Sequence, residues 1–314
     1  APLPRRGGSG LWALPSLRFP WDLSYSRGVR HSRAIAAAMR AARPEWASEP
    51  TWSALGLADN GSLERLREGY AELVGPAVLR VPASETADGF RAVTGGLQNP
   101  ALVEGGALQW PAASWGLDHL VSVLAGEPTI CGLTPGDDEV WVPFADFADY
   151  ARTQRHDGPL YVFNDEWGRA AEALLADYTP PEWAGNLRAH TPAHPRPPHR
   201  WLLVGPQRSG STVHVDPLGS SAWNAVVSGE KLWTLWEPSD ATACSLRRAT
   251  EGAWADIPTV YFGRLLEAIQ AGACPQPRVL VQRPGDILLV PAGWLHGALN
   301  VTTTIAVTEN FMVE

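Results

Sequence analysis

The stretch that decides the fold runs from residue 205 to residue 231 and reads Gly205-Pro-Gln-Arg-Ser-Gly-Ser-Thr-Val-His214-Val-Asp216-Pro-Leu-Gly-Ser-Ser-Ala-Trp-Asn224-Ala-Val-Val-Ser-Gly-Glu-Lys231. Its short apolar runs are bounded by glycine, proline and serine, a pattern that predicts strands joined by turns. His214 and Asp216 stand two residues apart, so in a strand they face the same side. A buried imidazole and carboxylate are costly without a cation between them. The stretch therefore predicts a metal-ligand pair on a strand or at its end.

Lys231 closes this stretch and is the single lysine of the chain, beside 24 arginines. A chain that uses arginine at every other basic position indicates that this lysine is kept for chemistry. From a β segment 17 residues after His214, its ammonium group can reach into the same cavity and pair with a carboxylate.

The β pattern continues outward from this stretch, and a helical insert at about 256–272 interrupts it. The predicted strands cover 201–204, 211–215, 222–227, 232–236, 279–281, 287–290, 298–301 and 304–308. Short strands with turn signals between them predict a mostly β fold with α additions, a double-stranded β-helix of the jelly-roll or cupin type. We assign this core to residues 161–314.

The N-terminal half has a mixed α/β pattern. Residues 31–160 predict an α/β region packed on the barrel, with helices at 32–42, 63–73, 117–124 and 143–150 and strands at 77–81, 128–131 and 160–163. Ser62 is the expected N-cap of the second helix. Residues 1–30 read as an irregular basic arm.

A second histidine arrives in Pro291-Ala-Gly-Trp-Leu-His296, directly after an apolar strand. Together with His214 and Asp216 it gives two imidazoles and one carboxylate, the facial triad that leaves positions open on non-haem Fe(II). The three histidines of the loop His190-Thr-Pro-Ala-His194-Pro-Arg-Pro-Pro-His199 are a weaker candidate, because their prolines forbid regular structure.

With these residues in place, residues 205–231 closely resemble the JmjC-domain 2-oxoglutarate oxygenases, most of all the branch of the bifunctional arginine demethylase and lysyl-hydroxylase. Arg196-Pro-Pro-His-Arg-Trp201 and Asn300-Val-Thr-Thr-Thr-Ile-Ala-Val-Thr308-Glu-Asn310-Phe311 extend the resemblance. It covers roughly 160–311 strongly and 99–115 weakly.

The resemblance implies that His214, Asp216 and His296 hold Fe(II) and that 2-oxoglutarate chelates the metal. It also implies that Lys231 pairs with the far carboxylate of 2-oxoglutarate and that O2 is the second co-substrate. The further cofactor-binding residues implied are Ser211, Asn224, Thr308 and Asn310. In related enzymes a tyrosine often contacts that carboxylate from the strand before the 143–150 helix. Here that strand reads Asp138-Glu139-Val140-Trp141-Val142, so the hydroxyl group must come from elsewhere or be dispensable.

The function expected is hydroxylation of a protein side chain, lysine or arginine favoured, coupled to conversion of 2-oxoglutarate to succinate. N-methyl demethylation and tRNA or RNA hydroxylation are alternatives within the class. A non-catalytic binding protein with a degenerate site and a zinc or manganese cupin isomerase are alternatives from other classes, which the intact triad and Lys231 disfavour.

Composition and net charge limit the classes of partner that we expect this chain to bind. The formal net charge of −8 disfavours a whole-protein nucleic-acid surface and suits a basic peptide, although the Arg-rich arm leaves RNA possible. Three cysteines without Cys-x-x-Cys spacing argue against a disulfide framework or a thiolate zinc site. No run has the length of a membrane span, and a cytoplasmic or nuclear protein is favoured. A start at Ala1 is compatible with a processed N-terminus, and the oligomeric state stays open because related chains commonly continue into C-terminal dimerisation helices.

Overall fold

Two β-sheets face each other in the computed structural model, which describes residues 31–46, 48–165, 173–184 and 199–312. The helices are α1 (Arg33–Ala42), α2 (Ser62–Ala71), α3 (Ala87–Val93), α4 (Leu117–Leu124), α5 (Phe144–Thr153), α6 (Asp240–Thr250) and α7 (Pro258–Gln270), with 3-10 helices at Glu49–Ser53, Pro111–Ser114 and Pro217–Gly219. The strands are β1 (Leu79–Pro82), β2 (Ala101–Glu104), β3 (Pro128–Leu133), β4 (Glu139–Pro143), β5 (Val162–Asn164), β6 (Arg200–Gly205), β7 (Gly210–His214), β8 (Ser221–Ser228), β9 (Lys231–Trp236), β10 (Arg278–Gln282), β11 (Ile287–Val290), β12 (Leu295–Asn300) and β13 (Thr304–Phe311).

The large sheet has the order β1-β2-β11-β8-β13-β6-β5 and the small sheet the order β10-β9-β12-β7. From β6 to β13 the chain changes sheet at every step except from β9 to β10, where α6 and α7 form the connection. Apart from the parallel β1–β2 pair, neighbouring strands in both sheets are antiparallel. This alternation between two facing sheets is a double-stranded β-helix, so the predicted fold class is confirmed.

Both sheets are buried on both faces. Between them lies an apolar layer that includes Leu288 of the large sheet and Leu235 of the small sheet. The outer face of the large sheet, with Trp223 and Val307, belongs to the core shared with the N-terminal half. The outer face of the small sheet, with Leu232, packs against α2 and α7. Burial on both faces gives strands that read as apolar runs rather than as an alternation.

The N-terminal half contributes strands to the large sheet as well as helices around it. β2 pairs antiparallel with β11, and β1 pairs parallel with β2 at the sheet edge. The hydroxyl group of Tyr70 on α2 donates a hydrogen bond of 2.9 Å to the carbonyl oxygen of Phe262 on α7. β3 and β4 form a separate hairpin. The division at residues 30 and 160 stays a prediction.

The local predictions held in most places. Ser32 caps α1 by accepting a hydrogen bond from the backbone N–H of Ile35 at 3.2 Å. The prediction of Ser62 as the cap of α2 was wrong: Gly61 with a positive φ of 71° takes the cap position. Ser62 instead donates its backbone N–H to the Asn60 side chain at 3.0 Å, because Asn60 forms a local turn there. Helix α6 was not predicted.

The basic arm and two of the three loop histidines, His190 and His194, lie outside the described residues. Among the helices that are described, none is both long and apolar enough to cross a membrane.

Candidate metal centre and anion pocket

The predicted ligand triad comes together at one end of the barrel. His214 is the last residue of β7 and lies directly opposite His296 of β12. Asp216 follows two residues later, where the chain leaves the strand for a 3-10 turn. One ligand atom from each of the three residues lies within 4.8 Å of the others. The Asp216 Oδ1 atom is 3.9 Å from His214 Nε2 and 3.8 Å from His296 Nε2.

Hydrogen bonds to the backbone fix which imidazole nitrogen faces the centre of the triad. His214 Nδ1 is 2.8 Å from the carbonyl oxygen of Thr212, and His296 Nδ1 is 2.9 Å from that of Trp294. A carbonyl oxygen only accepts, so both Nδ1 atoms carry hydrogen. In the neutral rings both Nε2 atoms are then free of hydrogen and present lone pairs, as metal ligation requires.

The electrostatics of the triad suit a bound cation. Burial lowers the pKa of His296 to about 3, and the neighbouring His214 adds to this lowering while the hydrogen bond to Trp294 opposes it, so this ring is neutral at pH 7. Burial also raises the pKa of Asp216, although His214 and a hydrogen bond from Asn310 partly offset this. The buried Oδ2 atom of Asp216 has no hydrogen-bond partner among the described residues. A divalent cation would satisfy it.

Lys231 lies deeper in the same barrel. It is the first residue of β9, four residues before Leu235, which faces His296 in the register. At about 3.3 Å per residue this separates the two positions by about 13 Å along the strand. The side chain is 1% exposed, and burial lowers its pKa to about 7. Within the described part of the chain its ammonium group has no carboxylate partner.

A tyrosine outside the Asp138–Val142 stretch, Tyr161, places its hydroxyl group beside Lys231. Lys231 Nζ donates to the Tyr161 hydroxyl oxygen at 3.1 Å, and the ammonium lies 5.4 Å from the ring centroid. Tyr161 immediately precedes β5, after α5 rather than before it. The sequence did not single it out, because a tyrosine 70 residues from Lys231 carries no local signal of that contact.

The other predicted cofactor residues lie on strands β7, β8 and β13. Asn224 and Thr308 are directly opposite each other in the large sheet. Asn224 is 3% exposed, and its Oδ1 atom has no hydrogen-bond partner among the described residues. Thr308 donates its hydroxyl to the Trp223 carbonyl oxygen at 2.7 Å, and Asn310 donates to Ser220 Oγ at 3.0 Å.

An irregularity in the pairing of β7 with β12 decides which way the Ser211 side chain faces. It is three residues from His214, so strict alternation would put the two side chains on opposite faces. A register shift between His296 and Ala298 of β12 places Ser211 opposite Ala298, which packs in the layer between the sheets. A cofactor contact by these four polar residues stays a prediction.

A cleft of about 680 Å³ lies at the edge of the large sheet, and Tyr161, the hydrogen-bond partner of Lys231, is among its lining residues. Its aromatic lining includes Phe163, which stacks on Trp201 at 5.5 Å, and Tyr161. Its charged lining residues are Arg43, Glu45, Glu139, Asp165 and Asp256. Arg43 is paired with Asp256, so negative charge is in excess.

Fold and site together define a class: a double-stranded β-helix protein with a two-histidine, one-carboxylate metal centre and a buried cationic pocket beside it. The cupin-like domain family matches residues 90–313. The chain therefore belongs to the cupin-like domain family, and within it to the JmjC group, as the sequence resemblance indicated.

Individual relatives agree with this placement. The chain is 35% identical over 230 residues to the lysine-specific demethylase JMJ21 of Arabidopsis thaliana, a match that covers 68% of this chain and 23% of that protein. It is 30% identical over 290 residues to the bifunctional arginine demethylase and lysyl-hydroxylase psr-1 of Caenorhabditis briggsae, covering 90% of this chain and 71% of that one. The 2-oxoglutarate and iron-dependent oxygenase JMJD4 of Danio rerio is 30% identical over 115 residues, covering 36% of this chain and 26% of JMJD4.

Proposed function

We propose that this chain is an Fe(II)- and 2-oxoglutarate-dependent oxygenase that hydroxylates a protein side chain, with lysine or arginine favoured. The observation that carries the proposal is the presence, in one barrel, of the His214, Asp216 and His296 triad and of a buried Lys231 that has no carboxylate partner among the described residues. A metal centre alone fits many cupins. A buried ammonium group beside it calls for an anionic ligand, since an uncompensated buried charge is expensive.

Each group has a definite task in this proposal. The two Nε2 atoms and the Asp216 carboxylate would hold the iron, and three protein ligands would leave coordination positions for the co-substrates. Lys231 and Tyr161 would bind the far carboxylate of 2-oxoglutarate and thereby orient its 2-oxo acid end toward the metal. Bound iron supplies oxidation of a C–H bond by O2, coupled to conversion of 2-oxoglutarate to succinate and CO2.

The protein-substrate assignment is supported by the adjoining cleft. Its excess of carboxylates suits a basic peptide. The relatives described above include a lysyl-hydroxylase and demethylases of lysine and arginine. Negative charge in the cleft disfavours a phosphate backbone there.

The cofactor half of the proposal is tested by anaerobic titration with Fe(II) and 2-oxoglutarate. We expect a weak visible charge-transfer band, followed by succinate formation when O2 is admitted. His214→Ala should abolish both signals. Tight binding of zinc with no band and no succinate would contradict the oxygenase assignment.

The substrate half is tested with basic peptides and mass spectrometry. An added oxygen atom indicates hydroxylation, and loss of a methyl group from a methylated peptide indicates demethylation. Glu139→Gln, a change in the cleft lining, should raise the KM for a basic peptide several-fold. The control Asp138→Asn, at the exposed neighbouring position, should leave this KM unchanged. Equal KM values for both variants would remove the cleft from substrate binding.

A further inference from the structure

The cleft at the edge of the large sheet already holds a guanidinium group, that of Arg43. Arg43 is the C-cap residue of α1 and one of the residues that line the cleft. Its guanidinium forms a salt bridge with Asp256, lies 3.9 Å from Glu45 Oε1 and stands over the Trp46 ring, 5.1 Å from the centroid. Carboxylates and the faces of tryptophan rings are the groups that proteins use to bind an arginine side chain. The cleft therefore contains an arginine site that the chain itself fills.

The loop that carries Asp256 has contacts of its own that hold it in place. It connects α6 with α7, and Arg264 of α7 donates to three of the carbonyl oxygens at the end of α6 and in the loop, at 2.6 to 3.5 Å. Trp254 of the same loop packs against Trp46 with the ring centroids 5.3 Å apart. The carboxylate of Asp256 therefore keeps its place when the Arg43 side chain moves away.

The ion pair between Arg43 and Asp256 is open to solvent. The side chain of Arg43 is 30% exposed and that of Asp256 is 48% exposed. Ion pairs this exposed are weak, because water screens the charges and both side chains lose freedom, and they change an equilibrium constant by roughly fivefold or less. A second guanidinium group can therefore replace that of Arg43 on Asp256.

The rest of the cleft attracts a cation. The other charged residues that line it, Glu45, Glu139 and Asp165, are all acidic, so Arg43 is the only basic residue in the lining that the structure describes. Carboxylates of one sign in a cleft raise the local concentration of cationic ligands and disfavour anionic ones. Arginine fits better than lysine here, because its planar guanidinium binds a carboxylate with two N–H groups and stacks on an aromatic ring.

We propose that Asp256 and the ring of Trp46 form an arginine subsite of the cleft, which Arg43 occupies in the free protein and which an arginine side chain of the peptide substrate occupies in the complex. Arg43 is then an intramolecular competitor of the substrate, and the enzyme prefers peptides that carry an arginine in addition to the target residue. This inference rests on the proposed function, because it takes the cleft as the place that receives the peptide.

The test is the affinity of the full chain for a fluorescein-labelled peptide of four Arg-Gly repeats, measured by fluorescence anisotropy without O2, with and without Mn(II) and 2-oxoglutarate. We expect Arg43→Gln to lower the Kd about fivefold and Asp256→Asn to raise it about fivefold. The double variant should bind as Asp256→Asn does, because the carboxylate for which Arg43 competes is then gone. Weaker binding by Arg43→Gln, or single effects that multiply in the double variant, would overturn the proposal.

Two charge-matched variants separate the subsite from net charge. Arg152 pairs with Asp149 at 3.1 Å and Asp59 pairs with Arg155, and none of these four residues lines the cleft. Arg152→Gln and Asp59→Asn should each change the Kd less than twofold. A peptide with citrulline in place of arginine keeps the shape without the charge, so all variants should bind it alike. If Arg152→Gln tightens binding as much as Arg43→Gln does, or if the citrulline peptide shows the same changes, the subsite is refuted.

The melting temperature separates competition from a structural role of the ion pair. Since the pair is exposed and the loop has other contacts, Arg43→Gln should shift the melting temperature by no more than about 2 °C. A fall in both melting temperature and peptide affinity would show a structural role and refute the competition.

Failure of the subsite and failure of the proposed function give different results. A chain that converts 2-oxoglutarate to succinate, but whose Arg43→Gln variant gains no affinity for the arginine peptide, refutes the subsite alone. A variant that gains this affinity in a chain that binds no 2-oxoglutarate supports the subsite and refutes the oxygenase assignment.

Discussion

Replacing Lys231 by methionine should make the ligand-free protein more stable while removing its affinity for 2-oxoglutarate. The methionine side chain has nearly the length of lysine and no charge. Since Lys231 is 1% exposed and its ammonium has no carboxylate partner among the described residues, the wild type bears the cost of that charge whenever the pocket holds no anion.

The size of the effect follows from the pKa. Burial lowers the pKa of Lys231 from 10.5 to about 7, whereas the unfolded chain keeps the ordinary value. Between these two pH values the unfolded state binds more protons, so this group makes stability rise with pH through the window and level off below pH 7. At about 1.4 kcal/mol per pKa unit, the charge costs about 4 kcal/mol at pH 7 and about 2 kcal/mol at pH 9.

The assay is urea unfolding of metal-free wild type, Lys231→Met and Lys231→Arg at pH 7 and pH 9. The methionine variant should gain up to about 4 kcal/mol at pH 7 and about half of that at pH 9. The arginine variant stays charged, so its stability relative to the wild type should fall as pH rises. A methionine variant that gains nothing at pH 7, or whose gain is the same at both pH values, would refute the argument.

Three further measurements test metal binding, proton uptake on ligand binding and the stability of the fold. Asp216→Asn should weaken Mn(II) binding at least about tenfold, because a carboxylate ligand loses its charge; unchanged free Mn(II) by electron paramagnetic resonance would contradict this. As Lys231 becomes charged, binding of 2-oxoglutarate should take up about 0.9 proton at pH 8 and about 0.1 proton at pH 6. Calorimetry in buffers of different ionisation enthalpy measures this uptake, which should be absent in Lys231→Arg. Asp157→Asn should cost about 1–3 kcal/mol in urea unfolding, whereas exposed Asp59→Asn should cost little. Asp157 is 1% exposed and accepts 2.7 Å bonds from the backbone N–H groups of Leu55 and Leu57, and an amide can satisfy only one.

The barrel strands were predictable because each is a short apolar run between turn residues. Ile287–Val290 was predicted with its observed bounds, and the other seven lay within three residues of theirs. Helix α6 was missed since it is largely polar, although Ser239 carries a capping signal and accepts a hydrogen bond from the Thr242 N–H at 3.3 Å. The sequence of strand β4 shows the alternation typical of a half-buried strand, with Val140 and Val142 buried and Trp141 partly exposed.

The metal ligands and Lys231 were predictable because each carries its own signal in the sequence, including His296, which follows an apolar strand. His214 and Asp216 are two residues apart, and Lys231 stands out by composition. Tyr161 and Asn300 were not predicted, because they meet Lys231 only through sheet pairing and the approach of β5. No sequence periodicity encodes which way an asparagine amide turns when Ser209 and Thr304 decide it.

The choice of lysine in an otherwise arginine-based chain has a physical reason. A buried arginine would stay charged whether or not an anion is present, while lysine can lose its proton when the pocket is empty and regain it when a carboxylate arrives. Gln282 and Asn300 flank it without hydrogen-bonding to its ammonium group, and no carboxylate among the described residues pairs with it. Under the proposed function a dicarboxylate would supply the missing counter-charge, and the free energy that the ligand-free fold gives up at Lys231 would reappear as affinity for it. Stability without ligand and affinity for ligand are therefore opposed at this one residue.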